Sequence, residues 1–390
     1  MNVQQWDLFC RVVDNYGDIG VAWRLARQLA HEHGIAIRLW VDDLVAFRRI
    51  CAAVDPDLAV QSVDSVRILH WRDDFDELEQ TAIACDAVVE MFACGLPESL
   101  LHAMAVSAAK PVWVDLDYLS AEDWVDGVHG AASPHPRLAV TRHFFCPGFT
   151  SKTGGLIRER GLDEARIAFQ RDSSAQQRFR DRLGIAVART GERRASLFAY
   201  EHAPLTGLLD AMAEDARETW TVVVPEGVLR NGIEDYFDAS ATPGAVLQRR
   251  ALRVVVIPFL EQDDYDRLLW ACDVNFVRGE DSFVRALWAA RPFVWHIYPQ
   301  EEAAHRVKLD AFLARYEIGQ SEHAASAQRA FWHEWNTPGA QIGAAWRTWW
   351  ADEPERMRHA VNWQTGIEHV GELAGNLVEF VAKRRSGLLK

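Results

Sequence analysis

The sequence of 390 residues lacks the short patterns that would assign it to several well-known classes. Its six cysteines include no Cys-x-x-Cys pair and no His-Cys cluster at metal-binding spacing, so neither a disulfide framework nor a zinc site is predicted. It also has no glycine-rich dinucleotide fingerprint after the first predicted strand, no Walker phosphate loop and no Gly-x-Ser-x-Gly elbow. Nicotinamide chemistry, P-loop phosphoryl transfer and serine hydrolysis therefore lack their usual signatures.

Positive charge and long apolar runs are also scarce. The chain has 42 basic and 56 acidic side chains, a formal net charge of −14, which opposes broad attraction to nucleic acid or to an anionic membrane surface. Residues 1–7 do not resemble a signal peptide, and no uninterrupted apolar stretch is long enough to span a bilayer. We therefore expect a soluble, unprocessed cytoplasmic protein that uses neither nucleic acid nor membrane.

The first half of the chain alternates between strand-like and helix-like segments. The run 6–13 is rich in β-formers and is followed by the loop 14–20, Asp-Asn-Tyr-Gly-Asp-Ile-Gly, after which helical periodicity continues from Val21 to Gly34. Further strands are predicted at 35–41, 66–71, 86–91 and 111–116. This alternation predicts a parallel sheet with helices on both faces.

A second alternating series follows a turn-rich and charged region. Its strands are predicted at 196–200, 220–225, 253–259, 273–277 and 292–298. Its helices are predicted at 205–213, 262–271, 282–290 and 303–314. We therefore predict two facing Rossmann-like, doubly wound α/β domains, 1–184 and 185–361, with a C-terminal helix, 362–390, packing back on the first. Ligands in such sheets bind beyond the carboxyl ends of the strands, so chemistry is expected in the cleft between the domains.

Asp14 and Asp18 are the first candidates for chemistry. They lie in the loop after the first strand, beside Gly17 and Gly20, which permit a close approach of backbone to ligand. Two carboxylates in such a loop can divide the work of orienting a substrate and accepting a proton. The alternative for Asp18 is a capping role at the helix that follows.

The sequence Arg278-Gly279-Glu280-Asp281-Ser282 forms the second candidate site. It follows a buried-looking strand and opens a helix, whose free N–H groups and positive dipole end suit a phosphate. Arg278 could add a charge-assisted contact, and Glu280 could accept hydrogen bonds from sugar hydroxyls. The alternative is that Asp281 or Ser282 caps the helix while Arg278 and Glu280 form a surface ion pair.

A third group follows neighbouring strands of the second predicted sheet. Tyr200 ends one strand, and Phe259 and Gln262 follow another, so an aromatic face and an amide could hold a pyrimidine base. Core packing explains Phe259 equally well. The Asp115-Leu-Asp117 and Asp55-Pro-Asp57 patterns are too short to indicate a metal site. Two histidines, His296 and His305, are interpreted as structural.

Several long stretches of the chain resemble one known family. Residues 6–10, Trp-Asp-Leu-Phe-Cys, and 13–20, Val-Asp-Asn-Tyr-Gly-Asp-Ile-Gly, look like the opening of the EarP family, the elongation factor P arginine rhamnosyltransferases. The likeness continues through residues 23–26, 117–122, 145–149, 152–156, 278–285 and 292–300. It thus spans nearly the whole sequence.

The resemblance implies a GT-B glycosyltransferase fold, with elongation factor P received by the N-terminal domain and dTDP-β-L-rhamnose bound by the C-terminal one. It implies inversion at the sugar, no cofactor and no metal, and a role in the translation of polyproline stretches. Asp18 would be the general base and Asp14 its essential neighbour. Substrate-binding roles fall to Asn15, Tyr16, Gly17, Tyr200, Phe259, Gln262, Arg278, Glu280, Asp281 and Ser282.

Two other functions remain open from the residues alone. The chain could be a GT-B transferase that uses another nucleotide sugar or a small acceptor, because the residues predict a diphosphate site better than they predict the sugar. It could also be a module that binds a protein partner without catalysis. The paired carboxylates in a glycine loop favour an enzyme.

Overall fold

The structure is a computed structural model that describes residues 4–14, 16–72, 85–186, 191–300 and 304–387. Contacts between Cα atoms divide the chain into two units, Met1–Arg160 with Ile367–Lys390, and Gly161–Gly366. Across the described ranges, no helix is both long and apolar enough to cross a membrane. The six cysteines are free, as predicted.

The first unit is built on a mixed eight-stranded sheet of order β3-β4-β2-β1-β5-β6-β8-β7. Its strands are β1 (Gln5–Cys10), β2 (Ala36–Val41), β3 (Val60–Val63), β4 (Val66–His70), β5 (Ala87–Met91), β6 (Val112–Leu116), β7 (Ala132–Pro134) and β8 (Thr141–Phe145). Its helices within the described part of residues 1–160 are α1 (Gly17–His33), α2 (Leu44–Ile50), α3 (Glu98–Val106) and α4 (Val125–Val128).

The central strand β1 is buried on both faces, as expected for a parallel strand covered by helices. Phe9 stacks on Trp40 of β2 with ring centroids 5.5 Å apart. Asp7 lies on the same face as Phe9, is fully buried and accepts two hydrogen bonds from Arg38, at 2.5 and 2.6 Å. The predicted strand 6–13 ends earlier, at Cys10, because side-chain carboxylates rather than a neighbouring strand accept from the amides of Val12 and Val13.

The second unit has a six-stranded sheet of order β11-β12-β10-β9-β13-β14. Its strands are β9 (Glu192–Leu197), β10 (Thr219–Pro225), β11 (Val246–Arg249), β12 (Leu252–Ile257), β13 (Val274–Arg278) and β14 (Phe293–His296). Its helices are α5 (Leu162–Arg171), α6 (Ser173–Arg182), α7 (Leu205–Ala213), α8 (Arg230–Phe237), α9 (Gln262–Ala271), α10 (Asp281–Trp288), α11 (Ala304–Tyr316), α12 (Glu322–Trp335), α13 (Gly343–Ala351) and α14 (Glu353–Gly366).

The prediction of two parallel α/β sheets is confirmed in the centre of each sheet and wrong at three of the four sheet edges. The helices predicted at 205–213 and 262–271 have the observed bounds. Strands β3, β7 and β11, however, pair antiparallel with their neighbours. They are short and half-exposed, as Val246 illustrates at 54% exposure, so they lack the continuous apolar run that marks a buried parallel strand.

The observed division of the chain corrects the predicted domain boundaries at 184 and 361. Phe179 of α6 and Leu183 are buried in a cluster with Val223 and Ile257 of the second sheet, so α5 and α6 belong to the second unit. At the other boundary, Gln364 of α14 donates to Asp163 at 3.0 Å. The second unit therefore keeps α14 through Gly366, and the chain returns to the first unit only at Ile367.

The returning segment consists of a 3-10 helix (Ile367–Val370) and α15 (Leu373–Arg385), and it attaches to the 154–156 turn of the first unit. Leu156 forms a β-bridge with Glu372, and Asn376 donates to the Gly154 carbonyl at 3.1 Å. Gly155 has φ +82°, and a Cβ there would lie 2.5 Å from the Gly371 carbonyl oxygen. The attachment thus requires a residue without a side chain.

We predict that Gly155→Ala lowers the free energy of unfolding by more than Gly130→Ala does. Both glycines have positive φ, +82° and +80°, so both variants carry a backbone strain of about 1 kcal/mol. Only at Gly155 does the new methyl group meet backbone, which adds roughly 1 to 3 kcal/mol. Urea denaturation followed by circular dichroism measures the difference, and equal losses would contradict the close approach at Gly155.

Candidate active site

Asp18 is a buried, hydrogen-bonded carboxylate at the edge of the first sheet. It lies in the first turn of α1 and is only 1% exposed. Its Oδ2 accepts hydrogen bonds from the backbone N–H groups of Val13, at 2.8 Å, and Asp14, at 2.9 Å. The carboxylate therefore turns back to hold the loop after β1. Tyr16 occupies the N-cap position without a side-chain cap bond, so the capping alternative for Asp18 is wrong.

The other oxygen of Asp18 is held by a residue that sequence reasoning did not select. The Tyr118 hydroxyl donates to Asp18 Oδ1 at 2.9 Å. Its ring stacks on Phe92 with centroids 4.4 Å apart, and Phe92 itself has φ +59° just after β5. Loops after β1, β5 and β6 thus meet at one carboxylate. The sequence offered one signal for Tyr118: residues 117–122 follow a predicted strand and belong to the stretches that resemble a known family.

Asp14 is held next to Asp18 by the backbone of the loop. Its carbonyl accepts from Gly17 N–H at 2.6 Å. A Cβ at Gly17 would lie 2.8 Å from Asp14 Oδ2, so the glycine lets the Asp14 carboxylate approach the start of α1. Tyr16 is half-buried. The predicted substrate-binding residue Asn15 lies outside the described residues.

The Asp115-Leu-Asp117 pattern lies at the same sheet edge, and Asp115 already contacts other side chains of the protein. Asp115 pairs in register with Glu90 of β5, and its carboxylate lies 3.3 Å from the Arg142 guanidinium. Burial raises the pKa of Asp115 to about 6, and the negative charge of Glu90 adds to the shift.

Glu32, His33 and Glu372 form a group with metal-ligating atoms close together in the described part of the chain. Contacts within the protein explain the positions of both carboxylates, Glu32 and Glu372. Glu32 accepts from Arg160 N–H at 2.7 Å, and Glu372 accepts from two N–H groups that open α15. The group lies at the C-terminal end of α1, whereas Asp18 lies at the N-terminal end.

In the second unit, Arg278 lies among aromatic rings at the end of β13. Its guanidinium carbon is 4.4 Å from the Phe198 ring centroid and 4.8 Å from that of Tyr200, at distances typical of cation–π contacts. The Ser282 hydroxyl donates to the Arg278 carbonyl and accepts from Arg278 N–H at 3.1 Å. The loop therefore closes on itself at the start of α10.

The other predicted residues of this unit surround the same loop. Gln262, at the start of α9, donates to Asp281 Oδ2 at 3.3 Å. Phe259 packs edge-on against Phe198 with centroids 6.3 Å apart. Glu280 occupies the N-cap position of α10. Phe198, which joins Phe259 to Arg278, was missed because it lies inside a predicted strand and looks like core.

Both candidate sites lie where the strand order of their sheet reverses. In the first unit β1 lies between β2 and β5, and in the second β9 lies between β10 and β13. Ligands of open α/β sheets bind at such switch points, beyond the carboxyl ends of the strands. The first site presents carboxylates, which suit a cationic group. The second presents a cation and the N–H groups of a helix start, which suit an anion.

Comparisons with known proteins agree along the whole chain. A sequence model of the family described as elongation factor P (EF-P) rhamnosyltransferase EarP matches residues 6–382. The protein-arginine rhamnosyltransferase of Pseudomonas aeruginosa PAO1 is 48% identical over 378 residues, which cover 97% of this chain and 98% of that protein.

Solved structures agree as well. One describes the structural basis for EarP-mediated arginine glycosylation of translation elongation factor EF-P. It is 35% identical, has a TM-score of 0.66 and aligns over 97% of this chain and 99% of its own. The spinosyn rhamnosyltransferase SpnG, solved with thymidine diphosphate, shares the fold at 13% identity, with a TM-score of 0.50 over 97% and 99% of the two chains. This chain therefore belongs to the EarP family of elongation factor P rhamnosyltransferases and has the GT-B glycosyltransferase fold.

Proposed function

We propose that this chain transfers L-rhamnose from dTDP-β-L-rhamnose to an arginine of elongation factor P, with inversion at the sugar and without a metal ion. The reaction takes place in the cytoplasm and supports the translation of polyproline stretches. Family membership and the protein-arginine rhamnosyltransferase relatives support the proposal. The observation that carries it is the Asp18 carboxylate, held at a switch point by two backbone amides and a tyrosine.

The acceptor poses an energetic problem, because a guanidinium has a pKa of about 13.8 and an ordinary aspartate one of about 3.9. Moving the proton before the attack would therefore cost roughly 13 kcal/mol. The proton instead leaves as the bond forms. A guanidinium nitrogen bonds to C1 of rhamnose, the bond from C1 to the diphosphate oxygen breaks, and Asp18 takes up the proton from nitrogen.

The hydrogen bonds of Asp18 suit this role. Oδ2 is occupied by the two loop amides, which hold the carboxylate in place. Oδ1 accepts from Tyr118 and, because each carboxylate oxygen offers about two lone-pair sites, can also accept from a guanidinium. We assign Asp14 to the remaining guanidinium N–H groups, with Asn15, Tyr16 and Gly17 lining the acceptor.

The residues around Arg278 are assigned to the nucleotide sugar. Arg278 and the N–H groups at the start of α10, around Asp281 and Ser282, would stabilise the charge that develops on the departing diphosphate, the role that a metal ion has in other transferases. Phe259 offers an aromatic face to thymine. The remaining polar contacts to ribose and diphosphate are assigned to Tyr200, Gln262 and Glu280.

We predict that Asp18→Asn strongly slows transfer while the donor still binds. The amide keeps an oxygen for the loop N–H groups but cannot accept the proton, so kcat should fall by about 100-fold or more. Mass spectrometry of elongation factor P incubated with dTDP-β-L-rhamnose measures transfer, and calorimetry measures donor affinity. Asp43→Asn is the matched control, because Asp43 caps α2 and asparagine caps equally well. Unchanged turnover of Asp18→Asn would show that Asp18 is not the general base.

We predict that Tyr118→Phe lowers kcat about tenfold without changing donor affinity. The variant keeps the ring on Phe92 but leaves Asp18 Oδ1 without its hydroxyl donor, a change worth roughly 1 to 3 kcal/mol at a buried group. Tyr236→Phe is the control, since Tyr236 donates to Asp210 at 2.8 Å in the second unit. Equal effects of the two variants on kcat would show that Tyr118 serves stability alone.

We predict that transfer continues at an unchanged rate after dialysis against a chelator. The proposed stabilisation of the leaving group comes from a guanidinium and backbone dipoles, which a chelator does not remove. A rate that falls and returns on addition of Mg²⁺ or Mn²⁺ would contradict metal-independent transfer, while leaving the identity of the donor and acceptor untouched.

A further inference from the structure

His296 is a buried histidine whose two ring nitrogens have different surroundings. It ends β14, is 1% exposed and pairs in register with Arg278 of the neighbouring strand. Its Nδ1 lies 3.2 Å from the backbone nitrogen of Tyr200. Because a backbone N–H can only donate, Nδ1 is the acceptor and carries no proton.

The ring is neutral, and its single proton is therefore on Nε2. Burial lowers the pKa of His296 to about 3, and the positive charge of Arg278 and the neighbouring rings of His202 and His305 add to the effect. Among the described residues, Nε2 is buried and has no hydrogen-bond partner. A buried donor without a partner beside the proposed ligand site calls for an explanation.

The position of His296 indicates what the missing acceptor is. Its ring centroid lies 5.3 Å from that of Tyr200, and its strand partner is Arg278. Both neighbours belong to the residues that we assign to the nucleotide sugar. A guanidinium, the start of α10 and an imidazole N–H thus lie at the carboxyl edge of one sheet, and each of these groups suits an oxyanion.

We propose that the Nε2–H of His296 donates a hydrogen bond to an oxygen of the donor's diphosphate. This inference rests on the function proposed above and adds a ligand-binding residue to it. The half-buried ring of His202 lies 4.6 Å from that of His296. Nδ1 of His296 also accepts from the backbone N–H of Tyr200 and so positions that residue. One nitrogen of the ring therefore holds the loop, and the other contacts the ligand.

Two substitutions separate these nitrogens. His296→Asn keeps an acceptor near the position of Nδ1, for Tyr200 N–H, but removes the Nε2 donor. His296→Gln keeps a donor near the position of Nε2 but loses the acceptor for Tyr200. A ligand-binding role predicts that dTDP binds His296→Gln within a few-fold of the parent protein and binds His296→Asn about tenfold or more weakly, as expected for a lost hydrogen bond to a charged group.

Calorimetric titration with dTDP tests the proposal, with His323→Asn as the control. His323 is an exposed histidine on α12 that contacts Asp352, and its substitution should leave dTDP affinity unchanged. An affinity for His296→Asn equal to or higher than that for His296→Gln would overturn the proposal and leave His296 a purely structural residue. Failure of the parent protein to bind dTDP would overturn the proposed donor as well.

If the variants do not fold, a measurement on the unmodified protein tests the proposed hydrogen bond. With ¹⁵N-labelled histidine, the Nε2 and Hε2 resonances of His296 should shift when dTDP is added, because the N–H gains an anionic acceptor. Inorganic phosphate at the same concentration should have a smaller effect. Resonances that stay unchanged at saturating dTDP would contradict the hydrogen bond.

Discussion

The parallel pairing of β1 with a strand on each side is the constraint on which the first site depends. Because β2 and β5 flank β1, the loops on either side of it diverge and leave a space beyond its carboxyl end. Asp18 lies at this space and accepts hydrogen bonds from two backbone amides of the loop after β1 and from the Tyr118 hydroxyl. Loop conformation, the start of α1 and the orientation of the carboxylate are therefore determined together.

The same topology supplies an oppositely charged site in the second unit. There the space beyond β9 and β13 is bordered by Arg278 and by the N-terminal end of α10. A chain with a net charge of −14 thus keeps a local group of donors that suits an anion, because the nearest charges and N–H groups, and not the total charge, set the local electrostatics. The cation–π contacts of Arg278 hold its guanidinium without neutralising it.

Two kinds of buried polar group can be compared in the two units. Asp7 with Arg38, and Asp266 with Arg285, are close pairs whose charges compensate each other inside the fold. Such pairs are costly to break and carry no information about ligands. Asp18 and His296 differ, because their partners are backbone N–H groups or a hydroxyl. Under the proposed function, these contacts orient the side chains and leave their chemistry available to a substrate.

The sequence by itself determined the α/β class, the central strands and the two candidate loops, because continuous apolar runs and glycine-containing turns are local signals. The sequence also contained the motifs that resemble the EarP family. Only the tertiary structure decided that Asp18 anchors a loop and does not cap its helix, that Tyr118 meets it from a residue distant in sequence, and that Phe198 and His296 border Arg278. The boundaries after Arg160 and Gly366 likewise depend on which sheet a helix packs against. Such partners are separated by tens to hundreds of residues, and no local pattern specifies which distant side chains a folded sheet brings into contact.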